Sequence, residues 1–237
     1  MKKVGIISQA RMTSTRLPGK VLLLVKNVSL LKYHTDRLRQ SGYPVFLATT
    51  VNPTDDVIAE FAITENLGWY RGDENHVLSR FYETAKNHGL EVIVRVTSDC
   101  PLVDGELIKQ GVEEYLKINS ESVYLSNTVI RSYPRGLDFE IFSFRLLAEA
   151  AKKAQGSFQQ EHVTPYIKEQ ATLEHIVYPE DASNFRITVD TPEDFELIQI
   201  LIENFAADQL GSKDLIRLLR NHPELTQINA HIEQKKI

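Results

Sequence analysis

An α/β fold, with a mostly parallel sheet covered by helices and a small antiparallel lobe, is the architecture this sequence predicts. Three observations carry it. Short β-rich runs alternate with helical patterns along most of the 237 residues. Hydrophobic residues make up 42% of the chain, enough for one sizeable core, so residues 1–237 read as a single domain. Between 121 and about 142 the rhythm changes to two extended runs joined by a polar turn, which reads as an inserted lobe at about 121–145.

The elements follow in order. Residues 3–8 form an apolar first strand, and "QARMTSTRLPGK" (9–20) leaves it as a loop. "SLLKYHTDRLRQSG" is a helix with Leu30, His34 and Leu38 on one face and Gly42 ending it. "PVFLATT" is a second strand. "TDDVIAEFAITENLG" is a helix whose Asp55 and Asp56 suit the positive end of its dipole. A short strand near "GWYRG" precedes the helix "ENHVLSRFYETAKNHG", and "EVIVRVTSDCP" is a β-branched strand ending on a carboxylate and a proline. "GELIKQGVEEYLKIN" carries Ile108, Val112, Tyr115 and Leu116 on one stripe. After the lobe come helices at about 143–154 and 159–169 and strands near 173–177 and 185–189. "TPEDFELIQILIENF" has Thr191 as N-cap and Pro192 at the first helical position. "GSKDLIRLLRNHP" is a last short helix, and the tail reads as peripheral.

Composition narrows the function classes. The net charge of −5 disfavours a general nucleic-acid binder. A single cysteine, Cys100, forms no internal disulfide, and the apolar run of "MKKVGIIS" is too short for a signal segment. No stretch approaches the roughly 20 apolar residues of a membrane span. A cytoplasmic protein is expected. His34, His76, His88, His175, His222 and His231 show no metal-ligand spacing.

In open α/β sheets ligands bind outside the carboxyl ends of the strands. Residues 9–20, Asp99, the 131–140 loop and Asp190 all fall there. In the first loop Arg11, Arg16 and Lys20 surround the backbone breakers Pro18 and Gly19. Such a loop is either a solvated basic surface or an anion cradle, with Arg as a planar donor fork and Lys as a mobile charge. It has no GxxxxGK[ST] pattern. Asp99 is either a turn residue or a carboxylate holding Mg²⁺ against phosphates. Asp190 is either a helix-dipole partner before Thr191 or the second ligand of that metal. "SYPRGLDFE" gathers Arg135, Asp138 and Glu140, as a polar hairpin or a substrate clamp, and His162 follows in "QQEHVTPYI".

Six ordered stretches carry a resemblance: "IISQARMTSTRLPGKVLL", "YRGDENHVLSRF", "VRVTSDCPLVD", "YPRGLDFEIF", "EHVTPYI" and "ITVDTPEDFELI". Together, from about residue 3 to 205, they resemble the spore coat polysaccharide biosynthesis protein SpsF family, of the acylneuraminate (CMP-sugar acid) cytidylyltransferase group. Thr13 departs from that pattern, standing where the family's loop usually has glycine.

The resemblance implies a Rossmann-like α/β/α sandwich of the nucleotide-diphospho-sugar transferase type. It implies an Mg²⁺-dependent enzyme that joins a sugar acid to CTP and releases pyrophosphate. Arg11, Arg16 and Lys20 would hold the triphosphate and carry the catalysis. Gln9, Ala10, Arg71 and Asp99 would belong to the nucleotide pocket. Asp99 and Asp190 would hold the metal, and Arg135, Asp138, Glu140 and His162 would line the sugar side. A homodimer through Val123, Leu125, Val129 and Ile130 is a further expectation. A nucleotide-sugar-dependent glycosyltransferase and a non-catalytic nucleotide-binding module are the other classes the residues allow, although "SDCP" supplies no DxD pair.

Overall fold

A seven-stranded sheet organises the chain, of which the computed structural model describes residues 2–233. The expected 1–237 span reaches beyond these at both ends. β1 (Val4–Gln9) leads through a hairpin of β2 (Leu24–Val25) and β3 (Val28–Ser29) into α1 (Leu30–Arg39). Then come β4 (Val45–Thr50), α2 (Asp56–Thr64), β5 (Gly68–Gly72), α3 (Val77–Asn87), β6 (Val92–Thr97) and α4 (Gly105–Ile118). β7 (Val123–Ser126), β8 (Glu140–Ser143), α5 (Phe144–Lys153), α6 (Gly156–His162), α7 (Pro165–Gln170) and β9 (Thr172–His175) follow. α8 (Pro192–Phe205), α9 (Ser212–Asn221) and α10 (Pro223–Thr226) complete the order.

The strands lie in the order β5-β4-β1-β6-β8-β7-β9, and β8 alone runs against the others. Both faces of the inner strands β4, β1, β6, β8 and β7 are buried, as their apolar runs require, whereas the edge strands β5 and β9 are largely open. Ile6, Val92 and Val94 pack with α1, α4, α8 and α9, whereas Ile7, Phe46 and Ile93 pack with α3, α5 and α7. Val123 and Leu125 of the 121–145 segment are core residues, while Ile130 is half exposed. No helix among the described residues is long and apolar enough to cross a membrane.

Two buried polar side chains anchor α1, Arg37 to the segments that lead into α4 and α9 and His34 to the end of β1. Arg37 gives its guanidinium to the carbonyls of Val103, Asp208 and Leu210. His34 is fully buried, with Nε2 2.8 Å from Ser8 Oγ and Nδ1 2.8 Å from the Cys100 carbonyl. The carbonyl can only accept, so Nδ1 carries the hydrogen and Nε2 accepts from Ser8.

Two expected elements differ. Residues 185–189 form no strand. Arg186 makes a single bridge with Arg135, Ile187 N donates to Arg135 O at 2.8 Å, and Val189 N donates to Asp99 O at 2.7 Å. The run crosses the ends of the strands and pairs with their loops instead of with a strand. The helix expected at 159–169 is broken at Val163, whose φ of 66° and ψ of −53° form a γ-turn closed by Thr164 N donating to His162 O at 2.7 Å. Pro165 then opens α7, where its missing N–H costs nothing.

Candidate functional site

The first loop folds back on itself. Gly19, at φ 70°, donates its N–H to Met12 O at 2.9 Å, and the chain turns so that Lys20 starts a short 3-10 turn. Two carboxylates pin the outgoing arm. Buried Asp55 accepts from Met12 N at 2.8 Å, and Glu74 accepts from Arg11, Thr13 and Asn52. The Thr13 hydroxyl, where a glycine was expected, is one of the donors that fix this arm.

Lys20 ends between two strand-side carboxylates, with Nζ 3.0 Å from Asp99 Oδ2 and 2.8 Å from Asp190 Oδ1. Burial alone would lower its pKa, but Asp99 and Asp190 outweigh that and raise it above the ordinary lysine value. Burial likewise opposes ionisation of Asp99, yet Lys20 holds its carboxyl below the usual range. Arg16 and Arg186 each reach the other oxygen of Asp190 at 2.9 Å. Two carboxylates sharing one cation are a donor set that suits a small divalent ion with phosphate oxygens completing its shell. Among the described residues no third histidine, cysteine or acid joins them in a cluster of metal-binding shape.

Two cavities meet here. One of about 270 Å³ is lined by Gln9, Ala10, Arg11, Arg16 and Lys20. The other, about 520 Å³, is lined by Arg135, Asp138, Glu140 and His162. Arg95, Thr97, Asp99, His162 and Asp190 line both. Apart from Arg71, the residues expected on the nucleotide side and on the sugar side thus line adjoining chambers, with the aspartate pair at the junction.

The larger chamber has a fixed wall. Buried Glu140 accepts from Tyr124 and from Thr164 at 2.8 Å, and pairs with Arg95 and with Lys168 at 3.4 Å. Burial would raise its pKa, but Arg95 and Lys168 pull it down to about 2. Asp138 is held by the two terminal guanidinium nitrogens of Arg131, at 2.7 and 3.1 Å. The Arg135 guanidinium has no ion-pair or hydrogen-bond partner among the described residues. Burial and the nearby Arg131 lower its pKa. Gly136, at φ 107°, lets this loop touch the 185–189 run: a Cβ there would lie 2.7 Å from the Ile187 carbonyl group. Gly136→Ala is expected to cost about 2 kcal/mol, seen as a lower urea midpoint, and an unchanged midpoint would contradict the tight contact.

Arg71 stands apart. Its guanidinium bonds the carbonyls of Thr50 and Asn52 at 2.7 and 2.9 Å and pairs with Asp56, and it lines neither chamber. Arg80, from the same motif, lines the smaller chamber with only 1% of its surface exposed. Burial and then Arg11 lower its pKa to about 10. Arg95 and Arg80 were missed, yet both left a trace. Arg95 is a charge inside the apolar strand "VIVRVT", and it pairs in register with Glu140 of β8. Arg80 occupies the apolar stripe of α3 beside Val77, Phe81 and Thr84. Cys100 is buried, with burial pushing its thiol up and away from reactivity.

The chain matches the family described as Cytidylyltransferase over residues 4–237, so the match includes the tail read as peripheral. It is 37% identical over 242 residues to an uncharacterised protein of Methanocaldococcus jannaschii, covering 99% of this chain and 97% of that one. It is 32% identical over 237 residues to the spore coat polysaccharide biosynthesis protein SpsF of Bacillus subtilis, covering 94% and 97%. Its fold superposes with a TM-score of 0.91 on a cytidylyltransferase structure from Leptospira borgpetersenii, 32% identical and covering 100% of both chains.

Proposed function

The chain belongs to the cytidylyltransferase family, and from that premise we propose that it joins a sugar acid to CTP, giving a CMP-sugar and pyrophosphate for surface polysaccharide synthesis. The observation that carries this reading is the meeting of the two chambers at Asp99 and Asp190. A cation-rich small chamber suits a triphosphate. The larger one, with an Arg135 guanidinium that has no ion-pair partner among the described residues and with Arg95 and Lys168 in its wall, suits an acidic sugar.

The roles follow from placement. Arg11, Arg16 and Lys20 bind and orient the phosphates, and Gln9 and Ala10 flank the nucleotide. The sugar hydroxyl attacks the α-phosphorus in line. A new O–P bond forms while the bond from the α-phosphorus to the β-phosphate oxygen breaks, and pyrophosphate leaves with the electron pair. His162, which lines both chambers, would take the hydroxyl proton. Asp99 and Asp190 would hold Mg²⁺, which supplies charge neutralisation to the phosphates. The work of the chain itself is positioning and electrostatic stabilisation.

CTP with Mg²⁺ is expected to raise the melting temperature more than UTP, GTP or ATP does. A purine triphosphate giving the largest shift would overturn the assignment. Pyrophosphate release with CTP and an acidic sugar then separates an enzyme from a module that only binds.

A further inference from the structure

We propose that Asn229, in the C-terminal segment, is a positioning residue for Asp190 and thereby for metal binding; this rests on the reading of Asp190 as a metal ligand. The chain of contacts is continuous. Asn229 is 3% exposed, and its Nδ2 donates to Asp194 Oδ1 at 2.8 Å and to the Arg186 carbonyl at 3.1 Å. Both hydrogens of one amide are therefore committed, and both partners are pure acceptors.

Asp194 is completely buried and binds Arg186 through two bonds, Nε to Oδ1 at 2.8 Å and Nη2 to Oδ2 at 2.9 Å. A buried carboxylate needs such compensation, and removing one donor leaves its charge partly unmet. The same Nη2 of Arg186 donates to Asp190 Oδ2 at 2.9 Å, and the Asp190 backbone N–H donates to Asp194 Oδ2 at 2.9 Å. Asp194 thus sets the Asp190 backbone directly and its carboxylate through Arg186. Asn229 fixes Asp194 and the Arg186 main chain together, so the outward Oδ1 of Asp190, now on Lys20, takes its direction from three successive charged or amide groups.

A helix cap alone would not need this arrangement. Thr191 already caps α8, accepting from Asp194 N at 3.3 Å, with Asp194 closing the box on the Thr191 N–H at 3.1 Å. The bonds from Asn229 and Arg186 come in addition, and they point from the C-terminal segment toward the aspartate pair. Outer partners of metal ligands commonly carry about 10–100-fold of metal affinity.

The test titrates Mn²⁺ into the intact chain with saturating CTP and reads free Mn²⁺ by electron paramagnetic resonance. Asn229→Ala is expected to weaken Mn²⁺ about tenfold while metal-free CTP affinity, by calorimetry, stays within about twofold. Asn229→Ser, which keeps one donor, should lose less than the alanine variant and serves if the alanine variant does not fold. Wild-type Mn²⁺ affinity in the folded variants overturns the proposal, as does a loss of metal and metal-free CTP affinity by the same factor. Failure of the wild-type chain to bind Mn²⁺ with CTP overturns the metal reading itself.

Discussion

Asp99→Asn and Asp190→Asn should each cut pyrophosphate release by about a hundredfold or more, a loss larger than the fold's own cost of leaving Lys20 with one carboxylate fewer. Both oxygens facing Lys20 belong to these two side chains. Asparagine keeps the shape and removes the charge that a divalent cation and its phosphates need. The double variant should be scarcely worse than the worse single one, since residues acting as a unit are non-additive. The competing role for Asp190, a simple helix partner, predicts near-normal turnover for its Asn variant. Geometry already weighs against that role, because Thr191 and Asp194 close the cap between themselves and Asp190 spends its oxygens on Lys20, Arg16 and Arg186. Near-normal release by Asp190→Asn would confine the metal to Asp99.

The second large effect concerns stability and acid. Burial lowers the His34 pKa from 6.5 to about 4, against the smaller upward pull of the Cys100 carbonyl and Asp99. Below pH 6.5 the unfolded chain accepts a proton that the folded chain refuses, so acid favours unfolding. The loss grows from pH 6.5 down to about 4 and reaches about 3 kcal/mol, then levels off for this group. The lowered carboxylates, Glu140 and Asp99, add their losses as the pH falls from their ordinary values of 4.5 and 3.8 toward about 2, so their window opens at the foot of the His34 one. Urea midpoints measured between pH 7 and 4.5 should fall steadily for the native chain and much less for His34→Gln. Parallel pH profiles for the two would remove His34 as the cause.

Much of the architecture was legible because it follows from local rules. β-branched runs became strands, Thr191 and Pro192 opened their helix, and the cationic first loop left β1 where strand ends collect ligands. What escaped was decided at long range. No residue in "FRITV" announces that its partners are loops and not a strand, since a β-rich run looks the same in either place. The break at Val163 is invisible for the opposite reason: a β-branched residue is among the last expected at positive φ. Arg71 and Arg80 are both arginines of one motif, and only the third dimension tells which faces the chamber. The tail looked peripheral because nothing near it in sequence reveals that Asn229 lies against Asp194.

That inverted turn at Val163 joins two accounts usually kept apart. The side chain is entirely enclosed and packs in one cluster with Phe81, Leu146, Leu147 and Ile167. Its backbone, held in a conformation that costs of order 1–3 kcal/mol, sets the direction of His162 before it and Thr164 after it. Only the grip of that cluster keeps the turn wound, like a spring held by its housing. Packing within that cluster and the aim of a side chain at the chamber junction are therefore a single mechanical quantity, and loosening the housing lets the aim drift.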